Sequence, residues 1–399
     1  MQAFWRAYRD NLIICLIAVP VGIVIGAIDT GFGLVLLRIT DLRTAHPAYF
    51  LPFLGLAGAG MIWCYQKFGG SCRRGMSLIF EAGHGIGEDV PLKLVPFAVA
   101  GTWVTQLFGG SAGREGVAVL IGGTVGHGVG RRVPLPGAGR VLLLAGMAAG
   151  FAGLFQTPLA AVFFAMEVLT VGKLEHKAVL PILTASYTAY YTAHLLGLPR
   201  FLYPLSDAVP FSVPLIFKLI LLGVLFGVIG RLFSYALHRS EELLDGAVGK
   251  PIRRILIVGT AVGLISLLAW RGRYSGLGGN LILGALGGKA MPWDFALKFL
   301  FSVLSIAAGF QGGEVMPLFT VGACLGCVLA PVLGLPAAFA AALGYAAVFG
   351  SGTNTLVAPI LIGGEIFGFS YLPYFFTVCI IAYAVNGDRS IYKLQRHEL

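Results

Sequence analysis

Long apolar runs, separated by short polar or glycine-rich stretches, make up most of the chain. Four of them are close to or above the roughly 20 residues that a helix needs to cross a bilayer, at about 12–38, 178–197, 213–236 and 252–270. Eight others are shorter or interrupted, at about 93–108, 115–126, 141–154, 158–171, 294–310, 315–333, 337–349 and 355–368. The pattern predicts an all-α polytopic membrane protein in which long helices alternate with short ones.

Glycine and proline mark the junctions of the short runs. The junctions read "GGSAGREG" (109–116), "FQTPLA" (155–160), "GFQGGEVMP" (309–317) and "GSGTNT" (350–355). A helix that ends inside a membrane is tolerated only where it is buried in protein or lines a cavity. Such broken helices are typical of transporters and channels, so the chain is expected to be one of these rather than a simple helix bundle.

The composition agrees with a membrane location. Hydrophobic residues make up 57% of the chain and charged residues 12%, and the mean hydropathy is +0.86. This leaves too little polar surface for a soluble protein of 399 residues. Six cysteines lie mostly inside apolar runs and give no disulfide framework. Cys324 and Cys327 are one helical turn apart and are interpreted as small packing residues.

The net charge of +10 has two interpretations. Lys and Arg cluster outside the apolar runs, which is typical of loops held on the cytoplasmic side of a membrane. Because both ends of the chain are basic, both termini are expected in the cytoplasm. The same positive charge also raises the local concentration of an anionic substrate. Sequence alone does not separate the two interpretations.

An internal repeat relates the two halves of the chain. The stretch "GMAAGFAGLFQTPLAAVFFAMEV" (146–168) aligns without gaps on "GYAAVFGSGTNTLVAPILIGGEI" (344–366) at an offset of 198 residues. The alignment pairs Glu167 with Glu365, each at the end of a short apolar run. Both glutamates are interpreted as helix caps or partners of loop cations rather than as proton carriers.

A second pair of blocks lies just upstream. "GREGVAVLIGG" (113–123) aligns with "GGEVMPLFTVG" (312–322) at an offset of 199 residues and pairs Glu115 with Glu314. Two blocks in the same order at nearly one offset indicate a duplicated unit.

The duplication predicts two membrane repeats, 1–200 and 201–399, with no separate soluble regulatory domain. If each half crosses the membrane an odd number of times, the two copies are inverted relative to each other. The ends of their short helices then meet near the membrane midplane, where such folds bind their substrates.

Glu115 begins one of these short helices, directly after glycine and Arg114. A helix that starts inside the membrane presents unpaired backbone N–H groups and the positive end of its dipole, which together bind anions. The Glu115 carboxylate can occupy this position, and it must leave when an anion enters or when a proton neutralises it. One residue would then gate the anion and carry the proton. The alternative is that Arg114 and Glu115 only pair with buried groups.

Another class of function is also compatible with a local pattern. "GGSAG" (109–113) matches the GxSxG pattern of a nucleophilic serine and allows an intramembrane serine hydrolase. His127 is the available partner, but no positioned acid completes a triad. Glu81 and His84 form an ExxH pair, which is interpreted as part of a solvated loop rather than as a metal site.

Three motifs together resemble the chloride channel and proton/anion antiporter family, abbreviated CLC. They are "GREG" (113–116), "GGEVMP" (312–317) and the lone tyrosine in "RSIYKLQ" (389–395), and the resemblance covers nearly the whole chain. It implies two inverted repeats of long, tilted and broken helices, a homodimer with one pathway per subunit, and no enzyme activity, cofactor, metal or nucleic-acid partner. It places the protein in a cell membrane, of the bacterial inner membrane type, where it would transport an anion and protons.

The same resemblance implies roles for individual residues. Glu115 would be the gating glutamate and proton carrier, and Tyr392 would close the anion site from the inside. The implied anion-binding positions are Met76, Gly113, Arg114, Gly116, Val117, Gly313, Glu314, Val315, Met316 and Tyr392.

Departures from the chloride-selective pattern resemble the fluoride/proton antiporter branch. Met76, in "RRGMSLIFEAGHG" (73–85), stands where chloride-selective members carry a serine that donates to the anion. Glu314 is unusual in the second motif and is expected to be protonated or held by a buried donor such as Thr320 or Tyr392 during part of the cycle.

Two further positions bear on this assignment. Val168 stands where ordinary chloride/proton antiporters have a second, internal glutamate, and Met316 stands where some fluoride-branch members have threonine. The expected function is export of fluoride in exchange for protons. The alternatives are a chloride/proton antiporter or a passive chloride channel of the same family, since chloride channels also lack the internal glutamate.

Overall fold

The computed structural model describes residues 2–87, 89–206 and 209–397. Its α-helices, in chain order, are α1 (Gln2–Ala45), α2 (Pro47–Phe50), α3 (Leu54–Cys64), α4 (Met76–Gly83), α5 (Leu94–Phe108), α6 (Glu115–Gly130), α7 (Ala138–Phe155), α8 (Pro158–Glu167), α9 (Val179–Leu195), α10 (Val213–Val248), α11 (Pro251–Trp270), α12 (Gly279–Leu286), α13 (Asp294–Ala308), α14 (Val315–Leu333), α15 (Ala337–Thr353), α16 (Val357–Phe367) and α17 (Leu372–Asn386). Two short strands, β1 (Thr170–Val171) and β2 (Arg396–His397), pair in parallel.

Seven helical stretches of the described residues are long and apolar enough to span a membrane. Four shorter apolar helices, α5, α8, α15 and α16, lie among them. The predicted combination of long and short helices is therefore confirmed. The predicted run 158–171 is shortened, because α8 ends at Glu167 and the following Thr170–Val171 forms β1.

The sequence analysis missed α3 and α17. The apolar run of α3 covers only 11 residues and becomes part of a longer span, Pro47–Gly83, through the turns on either side of it. The span that contains α17 likewise includes the turn before it, from Phe369. Both spans depend on irregular connections that apolar run length does not reveal.

Glycine contacts hold the paired helices of each half together. A Cβ added to Gly122 of α6 would lie 2.0 Å from the carbonyl oxygen of Gly146 in α7. The second half repeats this contact, since a Cβ on Gly322 of α14 would lie 2.0 Å from the carbonyl oxygen of Gly344 in α15. Only glycine allows the backbones to approach so closely.

These matched contacts correct the predicted register of the upstream block by one residue. The sequence alignment paired Glu115 with Glu314, but Gly122 corresponds in structure to Gly322, an offset of 200 residues. The helix starts show the same offset, because α6 begins after Arg114 and α14 begins after Glu314. One residue of shift rotates a side chain by about 100° around a helix. The pairing of the two glutamates was therefore wrong.

The downstream block is confirmed, and its glutamates cap helices of the opposite half. Glu167, at the end of α8, accepts hydrogen bonds of 2.8 to 3.1 Å from three backbone N–H groups at the start of α16. Glu365, in α16, accepts two of 2.9 and 3.2 Å from the start of α8. A carboxylate satisfies the unpaired N–H groups and the dipole of a helix start. The two halves thus stabilise each other reciprocally. The boundary between the two repeats, predicted near residue 200, stays a prediction.

Candidate functional site

The two glycine-rich junctions meet at the centre of the molecule. Gly113 donates a backbone hydrogen bond of 2.5 Å to the carbonyl of Gly313, and Gly313 returns one of 3.0 Å to Gly113, in an antiparallel bridge. A Cβ on Gly113 would lie 2.8 Å from the Gly313 oxygen, and one on Gly313 would lie 2.8 Å from the nitrogen of Gly116. Glycine at both positions therefore brings the starts of α6 and α14 side by side.

The starts of α6 and α14 supply backbone donors. The first intrahelical bonds after these starts run from Ala118 to Arg114, at 3.1 Å, and from Leu318 to Glu314, at 3.2 Å. The N–H groups before them have no acceptor within the helix. Since Pro317 has no N–H, the α14 start offers fewer donors than the α6 start. Glutamates of the opposite half cap α8 and α16, whereas in the described part of the chain neither α6 nor α14 has such a cap, and the α6 start is bonded only by its own Glu115.

Two vestibules reach this junction from opposite directions. The arginine vestibule, of about 640 Å³, is lined by Arg43, Arg114, Glu115, Arg200, Arg271 and Arg273 among other residues. The tyrosine vestibule, of about 300 Å³, is lined by Met76, Gly116, Val117, Gly313, Glu314 and Tyr392 among others. The Gly113–Gly313 bridge and the helix starts lie between them.

Glu115 closes the end of the arginine vestibule. Its side chain is fully buried, and Oε2 accepts a 3.2 Å hydrogen bond from the backbone N–H of Arg114. Oε1 lies 3.5 Å from Arg114 Nε, an ion pair without a hydrogen bond, and Oε1 has no hydrogen-bond partner among the described residues. Pairing with Arg114 therefore leaves half of the carboxylate uncommitted, at a helix start inside the protein.

Glu314 faces the tyrosine vestibule. Its Oε2 lies 3.8 Å from the position that a Cβ on Gly116 would take, so the carboxylate reaches the start of α6. Thr320, one of the two donors predicted for it, instead donates a 2.8 Å bond to the carbonyl of Met316, and that prediction was wrong. A threonine in a helix readily bonds the carbonyl four residues back. Tyr392, the other predicted donor, lines the same vestibule.

Tyr392 lies on a segment that crosses the mouth of the tyrosine vestibule. Its ring centroid is 5.1 Å from that of Phe80 in α4, and its hydroxyl is buried without a hydrogen-bond partner in the described ranges. Met76 is the first residue of α4, so the same helix brings both the methionine and the tyrosine's aromatic neighbour to the vestibule. A free hydroxyl in this position is an available donor to an anion or to a carboxylate.

Residues 389–397, here called the strap, are anchored to both halves of the molecule. His84, after α4, hydrogen-bonds the carbonyl of Leu394 through Nε2 at 3.0 Å. His238, in α10, bonds the carbonyl of Ser390 in the same way at 2.8 Å. Because a carbonyl only accepts, each Nε2 carries the proton. The two histidines therefore hold the strap on either side of Tyr392.

The predicted site residues do not all face one space. Met316 is on the arginine side with Arg114 and Glu115, while the other predicted residues that line a cavity are on the tyrosine side. Gly113 and Val315 are buried between the two vestibules. The structure thus divides the predicted set between two entrances.

Lys298 is a buried cation that the sequence analysis missed. Its ammonium group donates to the Ser111 hydroxyl at 2.8 Å and to the carbonyls of Gly276 and Tyr274 at 2.6 and 3.3 Å. All three ammonium protons are therefore used. The signal available in the sequence was a lysine inside the apolar run "FALKFLF" (295–301).

These contacts also remove the basis for a hydrolase. The Ser111 hydroxyl is bonded to Lys298 and lies 2.9 Å from the Ser302 hydroxyl. His127, its predicted partner, belongs to the last turn of α6, 4.0 Å from Asp89. The serine and the histidine therefore lie at opposite ends of α6.

Short helices that meet head to head between two vestibules, with a buried carboxylate at one start, define a membrane transporter or channel for anions. Residues 57–387 match the model of the voltage gated chloride channel family. The chain belongs to this family, the CLC family, whose members are transporters and channels rather than enzymes.

Several individual members of the family are similar to this chain. A chloride/fluoride channel protein of Pseudomonas syringae pv. tomato is 34% identical over 383 residues, which cover 94% of this chain and 84% of the relative. The crystal structure of a CLC-type fluoride/proton antiporter matches with a TM-score of 0.95 and 45% identity, over 97% of this chain and 98% of that one. A slow cyanobacterial Cl−/H+ antiporter, 21% identical over 94% of both chains with a TM-score of 0.81, shares the fold.

Proposed function

We propose that the chain is an antiporter that exports fluoride from the cytoplasm in exchange for protons. The observation that carries this proposal is the placement of two carboxylates on opposite sides of one junction. Glu115 faces the arginine vestibule and Glu314 the tyrosine vestibule, with the Gly113–Gly313 bridge between them. Support comes from the fluoride/proton antiporter structure, whose chain is 45% identical.

The anion binds where the helix starts converge. Backbone N–H groups of Gly116 and Val117 from α6, and of Val315 and Met316 from α14, lie at free helix starts and favour a negative charge. Fluoride is small and strongly hydrated, so its site must replace water with compact, strong donors. Backbone N–H groups and the Tyr392 hydroxyl provide donors of this kind.

Competition at the start of α6 couples the anion to the proton. Glu115 occupies the helix start as a carboxylate and excludes an anion by charge repulsion. When it takes up a proton it is neutral, leaves the N–H groups, and the anion takes its place. Glu314 serves the tyrosine side, where its proton joins that of the Tyr392 hydroxyl as a donor to the passing anion. The proton carried by the glutamates thus crosses the protein in the direction opposite to the anion.

The arginine vestibule opens to the outside and the tyrosine vestibule to the cytoplasm. Arg43, near the end of α1, lines the arginine vestibule, so the first residues of α1 lie on the opposite face of the protein. The strap lies on that opposite face too, because it lines the tyrosine vestibule. The connection between α10 and α11 carries Lys250, Arg253 and Arg254 on that face as well. An excess of basic residues is typical of the cytoplasmic side, and it supports our proposal that both termini lie in the cytoplasm and that the protein belongs to the cell membrane.

Each subunit contains a complete pathway, because both vestibules and both glutamates belong to one chain. We propose that two such chains form a homodimer in the bilayer. Large apolar side chains remain exposed along α9, among them Leu180, Leu183 and Leu195, and lipid or a second subunit must cover them.

Met76 contributes to anion preference by lacking a donor. Its side chain lines the tyrosine vestibule and carries no N–H or O–H donor. A serine here would add a hydroxyl, and one neutral hydrogen bond contributes roughly 0.5 to 1.5 kcal/mol. Methionine therefore weakens a chloride site without itself creating a fluoride site, and the backbone donors carry the remaining preference.

The test compares fluoride with chloride efflux from liposomes that contain the purified protein, under an inward proton gradient. We expect the gradient to drive fluoride and to have a much smaller effect on chloride. In Met76→Ser, chloride efflux should rise relative to fluoride by up to about tenfold, the equivalent of about 1.4 kcal/mol. Chloride efflux by the unmodified protein that is faster than fluoride efflux and equally proton-driven would replace the proposal with the chloride/proton alternative. Anion efflux that ignores the proton gradient would indicate a passive channel.

A further inference from the structure

The arginine vestibule contains more positive charge than its carboxylate balances. Five arginines line it, and the carboxylate at its wall is that of Glu115; they are Arg43, Arg114, Arg200, Arg271 and Arg273. Lys298 is buried behind the same wall, where it donates to carbonyls of the loop before α12. A positively charged cleft with protein walls focuses the field and attracts anions.

Two of the arginines are committed to building the wall. Arg273 holds Asp294 with two hydrogen bonds, of 3.1 and 2.6 Å, and Arg43 donates to the backbone carbonyl of Gln106. A bidentate pair of this kind fixes both side chains. These contacts make the vestibule a preformed space rather than a flexible surface.

Two other arginines have buried N–H groups without hydrogen-bond partners in the described ranges. Nε and Nη1 of Arg114 and Nε of Arg200 are buried without hydrogen-bond partners among the described residues. Arg200 is held by a 3.3 Å bond from Nη2 to the carbonyl of Glu365 and by the ring of Tyr190, 5.7 Å away. Arg271 stands exposed at the end of α11. A buried N–H group of a charged side chain without a partner costs more than 1 kcal/mol, so these side chains gain by turning toward an anion in the vestibule.

The size of the space indicates the class of anion. The vestibule has about 640 Å³, whereas one water molecule occupies only about 30 Å³ and a fluoride ion is of similar size. Guanidinium groups match anions with several oxygens, because their planar N–H pairs donate to two oxygens at once. The start of α12, at Gly278 and Gly279, also lines the vestibule and adds the positive end of a helix dipole.

We propose that the arginine vestibule binds a tetrahedral oxyanion group, such as sulfate or phosphate, and that its occupation blocks ion exchange. Arg114, Arg200 and Arg271 donate to the oxygens, and the bound group lies between the outer solution and Glu115. Oxyanion binding is inferred from the residues of the vestibule alone. The block of ion exchange rests, in addition, on the proposed function.

The direct test is sulfate binding by the purified full-length protein in detergent, measured by titration calorimetry. We expect saturable binding, weakened about tenfold by Arg271→Gln, which equals about 1.4 kcal/mol. Arg253→Gln is the matched control, because Arg253 is an exposed arginine near the opposite end of α11. Absence of saturable binding, or equal weakening by both variants, would overturn the site. This measurement does not depend on transport, so it separates failure of the site from failure of the proposed function.

The second test measures block in liposomes with sulfate on both faces, so that protein orientation does not matter. We expect sulfate to slow fluoride efflux severalfold in the unmodified protein and in Arg253→Gln, and much less in Arg271→Gln and Arg200→Gln. The measured quantity is the ratio of efflux with sulfate to efflux without it within each variant, because loss of a vestibule arginine also weakens the attraction for fluoride. A lipid phosphate as the occupant would instead slow efflux as phosphatidylglycerol replaces phosphatidylcholine, with no response to sulfate. A fluoride efflux that responds to neither sulfate nor phosphatidylglycerol would overturn the block.

Discussion

The position of a residue at its helix start decides which entrance its side chain faces. Glu115 is the first residue of α6, whereas Glu314 precedes the first residue of α14, so the structural counterpart of Glu314 is Arg114. Because the two repeats are inverted, counterparts face opposite entrances, and Arg114 lines the arginine vestibule while Glu314 lines the tyrosine vestibule. Glu115, next to Arg114, also lines the arginine vestibule. We propose that the two carboxylates serve as the protonation sites that an exchange mechanism needs on both sides of the anion.

Replacement of Glu314 by glutamine keeps the shape of the side chain and removes its charge. We expect fluoride turnover to fall by at least about tenfold, which corresponds to a transition-state loss of about 1.4 kcal/mol, because the amide cannot take up or release a proton. Fluoride efflux from liposomes measures the loss, and elution from a sizing column checks that assembly is intact.

The control for this variant is Glu242→Gln, an exposed glutamate of α10 that pairs with Arg239 at 3.1 Å. It should retain the normal rate, since exposed pairs of this kind contribute little. If Glu314→Gln also exchanges fluoride and protons normally, with an unchanged pH dependence, then Glu314 only holds a helix end by hydrogen bonds and has no part in transport.

At the scale of elements, the backbone N–H groups at helix starts differ in whether a glutamate of the opposite half caps them. Glu167 and Glu365 cap α16 and α8 permanently, through hydrogen bonds across the two halves. The starts of α6 and α14 have no such permanent cap and stay available to an anion. The capped starts therefore belong to the rigid frame, and we propose that the starts of α6 and α14 bind the anion.

The strap is the element that sets the position of Tyr392, and His84 tests it. His84→Leu removes the donor to the Leu394 carbonyl, a loss of about 1 kcal/mol, and should let the strap move away from the vestibule mouth. We expect a severalfold rise in fluoride leak without a proton gradient, at nearly normal thermal stability. His84→Gln retains an N–H donor and should restore tight exchange.

His194→Leu serves as the control for this prediction, because His194 lies in the last turn of α9, where its ring stacks on Tyr190. Its leak should match that of the unmodified protein. An unchanged leak in both His84→Leu and a double variant with His238→Leu would show that the strap is held without the histidines and that Tyr392 is positioned by Phe80 and the backbone.

At the scale of the whole molecule, the sequence predicts what depends on local pattern. Apolar runs located most of the long and short helices, though not α3 and α17, and glycine-rich junctions located the helix starts that meet at Gly113 and Gly313. The repeat predicted that Glu167 and Glu365 would have matching roles, and both cap helices. Each of these features follows from run length, backbone conformation or internal similarity within a short window.

Features built from distant residues could not be predicted in this way. The arginine vestibule combines side chains that lie far apart in the sequence, such as Arg43, Arg114 and Arg271, and no local pattern links them. The strap likewise rests on contacts between distant residues, since His84 bonds a carbonyl 310 residues away and the N–H of Ile391 bonds the carbonyl of Gly352. The register error has the same origin, because few identities among small residues leave a shift of one position undetected until helix contacts are known.

The central claim is that Glu115 exchanges places with the anion and carries the proton. Simultaneous recording of fluoride and proton fluxes in liposomes tests it most directly, with Glu115→Gln compared to Glu365→Gln, a partly buried carboxylate that only caps α8. The unmodified protein and Glu365→Gln should both move fluoride against its gradient when protons flow inward. In Glu115→Gln, proton movement and uphill fluoride transport should both be lost, because a permanently neutral side chain cannot carry a proton. Proton-driven uphill transport of fluoride by Glu115→Gln at the unmodified rate would contradict the mechanism.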